Sequence, residues 1–367
     1  MGSGHDLFLA KGRELWDELL TRDYEKGCLS ILILAPKGQG KSTLLATIAL
    51  KALELGDLVV WRGRHRDFWP RLPRELVKIF VHKNDSLKVL KILPGTKHVT
   101  DITDELDIEH YRSIEELDEK LEEGKINVIY EPSWHQPSAG LRKTIKQDKE
   151  WTQGRFWWFD FLDFLAHRVD GRFLSLFIDE IDDIAPSGAS GALWRALESL
   201  QHSLSELREK LVWIYSTTHD PAHLDPRILR KIDGFIYLRG AIVPRRLSTM
   251  PKKNAPAKLD LGEGIIEIRG RGYGFFTFQK LTHDGFLYSI QKVWQGSNIT
   301  KEEAKTGKET IKDELSKIAQ EEGTESALLK LRKLYSSGQI GRSYYYELRK
   351  MLFGGDKNGG NSRSIEA

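Results

Sequence analysis

Short apolar runs alternate with longer stretches of mixed polarity from about residue 29 to residue 240. Runs of this kind, bounded by turn residues or charges, are typical of buried strands, and the stretches between them are typical of helices. The alternation predicts an α/β fold in which a parallel sheet is covered by helices on both faces. The predicted strands are Ile31–Leu34, Leu58–Trp61, Ile79–His82, Ile126–Tyr130, Leu174–Asp179, Val212–Thr217 and Phe235–Leu238.

Two segments within this region have an unusual composition. Asp101–Glu123 is dense in Asp and Glu with apolar residues interspersed. We interpret it as an acidic helix that covers the sheet rather than as a partner-binding surface. The aromatic run Phe156–Leu165 has helical spacing, so it predicts a buried helix or a subunit interface rather than a base-stacking surface.

The pattern changes after residue 240. Pro251–Pro256 predicts a linker, and residues from Thr300 onward follow a helical pattern. Three runs between them predict a small antiparallel sheet: Ile265–Arg269, Gly274–Leu281 and Phe286–Trp294. The predicted organisation is an N-terminal helical segment (1–28), a central α/β domain (29–245), a linker with a small β segment (246–298), a C-terminal helical module (299–353) and a disordered tail (354–367).

Composition narrows the class of protein. The 367 residues and 40% hydrophobic content suffice for a real core, and this length is typical of about two or three domains. The single cysteine, Cys28, excludes an internal disulfide framework and suits a reducing cytoplasm. No apolar run approaches the roughly 20 residues that cross a bilayer, and no signal-peptide pattern is present. We therefore expect a soluble cytoplasmic protein without direct membrane insertion, and the net charge of +3 permits a nucleic-acid partner without arguing for one.

The first predicted strand leads directly into a glycine-rich segment that precedes a predicted helix. Gly38 and Gly40 let backbone N–H groups turn inward around a phosphate, and the N-terminus of the following helix favours negative charge. The motif assigns Lys41 to the β- and γ-phosphates of a nucleoside triphosphate and the Ser42 hydroxyl to Mg²⁺. Ala35 replaces the first glycine of the strict motif, and its small side chain is sterically tolerable. The predicted nucleotide-binding residues are Pro36, Lys37, Gly38, Gln39, Gly40, Lys41, Ser42 and Thr43.

Two further predicted strands end in polar residues. One delivers two adjacent carboxylates at its carboxyl end, where an open parallel sheet binds its ligands. We assign Asp179 to the Mg²⁺ ion and Glu180 to the attacking water, which it would polarise as a general base. Thr218 or His219, at the end of the next strand, would hydrogen-bond the γ-phosphate or that water and report on the nucleotide state.

The order of these motifs resembles the FtsK/HerA superfamily of DNA-pumping ATPases, and within it the zonula-occludens-toxin-like members and those of archaeal plasmids or viruses. The resemblance covers about residues 29 to 240 and includes the segment Asp220–Leu238. It implies a P-loop NTPase domain of RecA-like fold, bound ATP and Mg²⁺, hydrolysis between the subunits of a homo-oligomeric, hexameric ring, and movement of duplex DNA. Many relatives carry Thr-Gln where this chain has Thr218-His219, which leaves the identity of the sensor open.

Hydrolysis between subunits requires an arginine that contacts the γ-phosphate bound by a neighbour. By the resemblance, Arg208 before the polar strand is the first candidate, and Arg227 and Arg230 follow. An AAA+-like ATPase is the alternative within the nucleotide-binding class, because the segments Phe177–Asp182 and Leu224–Arg230 would also suit it. The long separation of the phosphate-binding loop from the carboxylate strand argues against that alternative, because AAA+ modules are usually shorter there.

DNA contacts have two candidate locations. The basic segment Trp61–Arg66 would either line a pore and neutralise phosphates or form a solvated loop. The helices Ser326–Tyr335 and Arg342–Leu352 resemble a helix-turn-helix, and a hairpin that only packs or oligomerises fits equally well. The sequence therefore predicts an ATP-dependent DNA translocase of packaging or conjugation type. The alternative from a different class is a nucleotide-gated DNA-binding regulator with slow turnover.

Overall fold

The computed structural model describes residues 4–22, 27–133, 135, 153–279, 281, 284–295, 312, 315–320, 323–336, 348–349 and 351–352. The chain divides into two compact units, Met1–Gln295 and Gly296–Ala367. The first unit holds all of the predicted nucleotide-binding residues. Among the described residues, no helix combines the length and the apolar character that crossing a bilayer requires.

The strands that the described residues form all belong to the first unit. They are β1 Ser30–Leu34, β2 Leu58–Arg62, β3 Val77–His82, β4 Asp85–Ile92, β5 Val99–Asp101, β6 Ile108–Tyr111, β7 Ile126–Tyr130, β8 Leu174–Ile178, β9 Val212–Thr218, β10 Gly234–Leu238, β11 Glu263–Ile268, β12 Gly272–Thr277 and β13 Leu287–Trp294. Ten of them form a central sheet in the order β12-β11-β10-β1-β9-β8-β2-β7-β3-β6. From β10 to β6 all neighbouring strands are parallel, as the sequence predicted.

Helices cover both faces of the central sheet. They are α1 Gly4–Leu20, α2 Lys41–Glu54, α3 Ile114–Lys120, α4 Gln153–His167, α5 Gly191–Leu207 and α6 Pro226–Leu229. One buried cluster joins α1 and α2 to Ile31 and Ile33, and another joins α4 and α5 to Leu32 and Leu34. The strands between them are buried on both sides, which explains their nearly continuous apolar runs. The predicted α/β architecture and the buried aromatic helix, now α4, are confirmed.

The acidic stretch Asp101–Glu123 does not form a single helix, so that prediction is wrong. It contains β6, which pairs with β3 at the edge of the central sheet, and only the short helix α3. Glu109 on β6 forms ion pairs with Lys78 at 2.8 Å and with Lys120 at 3.2 Å. A charged edge strand and a solvated helix both expose one polar face, so charge density alone does not distinguish them.

The three strands after residue 260 do not form one small sheet, which corrects the predicted β segment of residues 246–298. β11 and β12 extend the central sheet, because β11 pairs antiparallel with β10. β13 pairs antiparallel with β4 along its whole length, in a separate sheet of order β13-β4-β5. The first compact unit therefore continues to Gln295, beyond the boundary expected at residue 245. Local alternation identifies a strand, whereas its partner depends on distant residues.

The second unit contains the helix α7, Thr324–Ser336, and a helical stretch at residues 315–320. Leu315, Leu331 and Leu348 form a buried cluster within it. α7 confirms the helix predicted at Ser326–Tyr335. Residues 337–347, which include the predicted turn and the start of the second helix, lie outside the described residues, and so does the predicted tail.

Candidate nucleoside triphosphate site

The predicted phosphate-binding loop lies between the carboxyl end of β1 and the amino end of α2. Gly38 and Gly40 have φ angles of 81° and 90°, in the left-handed region that other residues adopt only with strain. Gly40 also lies against the ring of Phe278, and a Cβ atom there would come within 3.4 Å of it. Within the described residues, no side chain caps the N-terminus of α2, so its N–H groups are available to an anion.

Lys41 is buried at the base of this loop, with 6% of its surface exposed. Its Nζ atom donates to the carbonyl oxygens of Ala35 at 2.6 Å and Pro36 at 3.1 Å, and it lies 2.8 Å from Nδ1 of His219. Burial lowers the pKa of the amine, and the carboxylates that follow β8 offset part of this effect. The two carbonyl oxygens that hold the amine are neutral acceptors, which are weaker partners than phosphate oxygens.

The carboxylates after β8 meet this loop at one edge of the sheet, because β1 and β8 are both neighbours of β9. Asp179 is 6% exposed. Its Oδ2 atom accepts a hydrogen bond from Ser42 Oγ at 3.2 Å, and its Oδ1 atom accepts one from Thr217 Oγ1 at 2.5 Å. The structure therefore brings together the two residues that the sequence assigns to Mg²⁺.

Glu180 has a left-handed backbone conformation, with φ 53° and ψ 67°. Such strain costs about 1–3 kcal/mol in a non-glycine residue and persists where surrounding contacts enforce it. Here the N–H of Glu180 donates to Thr217 Oγ1 at 2.9 Å, and Arg62 Nη1 donates to the carbonyl oxygen of Glu180 at 3.4 Å. Burial alone would raise the pKa of the Glu180 carboxyl, but Arg64 and His219 together hold it below its ordinary value.

The strand alternation of β9 decides which of its terminal side chains reach the site. His219 lies in it, because Nε2 of its ring is 3.1 Å from Oε1 of Glu180. Thr218 points to the opposite side, and its hydroxyl donates to the carbonyl oxygen of Asp220 at 3.3 Å. Thr217, which the sequence analysis missed, contacts Asp179 instead. The period of two along a strand could have identified Thr217, since it places residues 217 and 219 on one face.

Two arginines at the end of β2 are further members of the site that the sequence analysis did not assign to it. Arg62 Nη1 donates to the carbonyl oxygen of Asp179 at 3.3 Å and lies 3.4 Å from Oδ2 of Asp183. Arg64 forms an ion pair with Glu180 and also contacts Asp179 and Asp183. The order of the strands brings them here, because β2 lies next to β8. The basic segment that begins at Trp61 is therefore more than a solvated loop.

Two of the three arginines proposed to act on a neighbour have side-chain partners within the chain. Arg208 lies at the amino edge of the sheet, where it donates to the Cys28 carbonyl oxygen at 3.2 Å and pairs with Asp233 at 2.7 Å. Arg227 pairs with the carboxylate of Asp225 at 2.9 Å. Arg230 is exposed and precedes β10. Their action across a subunit interface stays a prediction.

The donor atoms of the site fit a metal that arrives with a nucleotide. Ser42 and Asp179 offer oxygen ligands, and Mg²⁺ usually takes its other ligands from phosphates and water. In the part of the chain that the structure describes, no group of three or more His, Cys, Asp or Glu side chains could hold a metal by itself. Such a donor set is typical of a magnesium–nucleotide site.

The parallel sheet, the glycine loop between β1 and α2, and the carboxylates after β8 define a P-loop NTPase fold. No protein-family model matches the chain, and no curated protein is similar to it.

Solved structures that are similar to the chain include those of three proteins. One is the genome packaging NTPase B204 of Sulfolobus turreted icosahedral virus 2, with 11% identity over 70% of this chain and 98% of that chain and a TM-score of 0.37. The bacterial conjugative coupling protein TrwB has 12% identity over 70% of this chain and 87% of that chain, with a TM-score of 0.42. VirB4 of Thermoanaerobacter pseudethanolicus has 12% identity, 70% and 90% coverage and a TM-score of 0.42. The roles assigned to residues of this chain rest on its own contacts.

Proposed function

We propose that this chain binds ATP with Mg²⁺ and hydrolyses it. The observation that carries the proposal is the hydrogen bond of 3.2 Å between Ser42 Oγ and Asp179 Oδ2, beside the buried amine of Lys41. Two motifs that are far apart in the sequence meet here in the arrangement that phosphoryl transfer requires. When bound, Mg²⁺ would neutralise charge on the β- and γ-phosphates.

The loop residues act in binding. The N–H groups at the start of α2 hold the β-phosphate, and Lys41 exchanges the carbonyl oxygens of Ala35 and Pro36 for phosphate oxygens. Ser42 and Asp179 would hold the Mg²⁺ ion. Together these contacts orient the γ-phosphate toward the carboxyl edge of the sheet.

Glu180 acts as the general base, because its carboxylate accepts the proton of the attacking water. In the nucleotide-free protein Arg64 and His219 hold the pKa of this carboxyl below its ordinary value, so the carboxylate is ionised at neutral pH before nucleotide binds. His219 connects it to the phosphate-binding lysine, since its ring contacts both Glu180 and Lys41. A change in the position of the Lys41 amine on nucleotide binding thus reaches the general base through one side chain.

We further propose that hydrolysis moves duplex DNA through a homo-oligomeric ring of six subunits. The resemblance of the motifs to the FtsK/HerA superfamily supports this step, and the chain's similarity to packaging and conjugation ATPases agrees with it. Arg208 is the first candidate for the arginine donated to a neighbour, followed by Arg227 and Arg230. Arg62 and Arg64, at the end of β2, contact the carboxylates after β8. Arg66 is exposed and is therefore the candidate of that segment for contact with the phosphates of DNA.

The ATPase rate with and without long duplex DNA tests this function. A DNA motor turns over several times faster with long duplex DNA than without it, and short single strands provide the control. The variant Glu180→Gln keeps the shape of the side chain but removes the base, so we expect it to bind ATP and to lose turnover by at least about a hundredfold.

Two outcomes would contradict the motor. A rate that no polynucleotide stimulates would favour the nucleotide-gated regulator, and full turnover in Glu180→Gln would remove the assigned general base.

A further inference from the structure

The backbone of Arg64 is fixed so that its side chain reaches the carboxylates after β8. Its N–H donates to Oδ2 of Asp67 at 2.9 Å, and its carbonyl oxygen accepts the hydroxyl of Tyr130 at 3.2 Å. Asp67 is buried and also accepts the indole N–H of Trp61 at 3.0 Å. Gly63 lies so close to Tyr130 that a Cβ atom would come within 2.6 Å of the ring. These contacts distinguish Arg64 from an ordinary surface arginine.

The guanidinium group contacts three carboxylates at once. Arg64 Nη2 forms an ion pair with Glu180 and lies 3.3 Å from Oδ2 of Asp183, and Nη1 lies 3.5 Å from Oδ2 of Asp179. Burial opposes the charge of Arg64, but these carboxylates more than offset burial and raise its pKa. The group is therefore permanently cationic.

Arg64 and the proposed Mg²⁺ would both contact the same oxygen atom. Asp179 Oδ2 faces Ser42 Oγ at 3.2 Å on one side and Arg64 Nη1 at 3.5 Å on the other. Protein oxygens bind Mg²⁺ at about 2.0–2.1 Å, so a metal here would lie within a few ångströms of the guanidinium. Two cations at that separation repel each other strongly in a partly buried site. A magnesium ion at Asp179 Oδ2 would therefore compete with Arg64 in its observed position.

We propose that Arg64 is a positioning residue whose guanidinium group supplies the positive charge beside Asp179 in the nucleotide-free protein. Mg²⁺ and nucleotide displace this side chain when they bind. The inference rests on the proposed ATP site. While Arg64 is in place, it holds Glu180, so the general base faces a cation instead of water. A cleft of about 690 Å³, lined in part by Ser42, Asp179 and Arg66, lies beside the loop and has room for the displaced side chain. Nucleotide binding and release of the base thus become one event.

The test is the degree to which Mg²⁺ strengthens nucleotide binding. The affinity of the full chain for a fluorescent, non-hydrolysable ATP analogue is measured in EDTA and in excess Mg²⁺. The dissociation constant in EDTA divided by the dissociation constant in Mg²⁺ is then compared between variants. In Arg64→Gln the metal no longer competes with a cation, so we expect this ratio to rise about tenfold. Arg64→Lys keeps the charge but loses the planar fork, and a smaller rise is expected.

Arg74→Gln is the matched control, because it removes one positive charge from an exposed arginine that pairs with Glu105. Its ratio should equal that of the wild type. An unchanged or lower ratio in Arg64→Gln would overturn the inference, because a residue that helps the metal hold phosphate gives that result. If Arg64→Gln does not fold, Arg64→Lys decides the question. A ratio above that of the wild type supports the inference, and an unchanged or lower ratio overturns it. Failure of the wild type itself to bind the analogue would instead contradict the proposed ATP site.

Discussion

At the scale of single residues, His219 joins the phosphate-binding lysine to the general base. One ring nitrogen lies 2.8 Å from Lys41 Nζ, and the other lies 3.1 Å from Glu180 Oε1. Many members of the superfamily that the sequence resembles carry glutamine at this position. An imidazole and an amide both offer two hydrogen-bonding ends, so this departure from the family's pattern keeps a bridging side chain.

Asp67 makes the stability of the protein depend on pH. Burial raises the pKa of Asp67 to about 7, and the charge of Asp179 adds to this effect. Since the folded pKa exceeds the unfolded value of 3.8, the stabilisation is present below about pH 4 and is lost as the pH rises through about 7. As the pH rises from about 4 to about 7, the free energy of unfolding of the wild type should fall by up to about 4 kcal/mol relative to that of Asp67→Asn, as measured by denaturant unfolding. A difference that stays constant or shifts the other way would contradict it.

At the scale of elements, the sequence was sufficient to find the apolar strands of the parallel sheet, but it missed β4, β5 and β6 and did not reveal all strand neighbours. The buried strands of the parallel sheet are continuous apolar runs, and the loop after β1 has a motif with fixed spacing, so both were predictable. β13 shows the limit, because its alternation does not reveal that it pairs with β4. The contact of Arg64 with Glu180 could not be predicted for the same reason, because it depends on β2 lying next to β8.

A buried ion pair attaches the segment after α1 to the central sheet. Arg22 donates to the carboxylate of Asp57, and their side chains are 8% and 1% exposed. Removing one partner leaves the other charge buried and uncompensated, so Asp57→Asn should lower the free energy of unfolding by about 3–5 kcal/mol. Glu54→Gln, in an exposed pair with Lys51, is the control and should change it by less than about 1 kcal/mol. Equal losses of stability in Asp57→Asn and Glu54→Gln, measured by thermal or denaturant unfolding, would contradict a stabilising role of the buried ion pair.

At the scale of the whole molecule, hydrolysis between subunits makes a prediction for mixed rings. Lys41→Ala removes the phosphate-binding amine, and Arg208→Ala removes the arginine proposed to act on a neighbour. Each variant alone should be inactive, whereas an equal mixture combines intact halves at about a quarter of the interfaces and should regain about that share of the ATPase rate. No recovery after mixing would show that Arg208 does not act across an interface.

The central claim is that ATP binds where β1 meets α2, with Lys41 as a phosphate ligand. Isothermal titration of the chain with a non-hydrolysable ATP analogue in Mg²⁺ tests it most directly, and Lys51→Ala, an exposed lysine on the same helix, is the control. We predict one site per chain in the wild type and in Lys51→Ala, and binding about a hundredfold weaker in Lys41→Ala. Equal affinity in Lys41→Ala and the wild type would contradict the account.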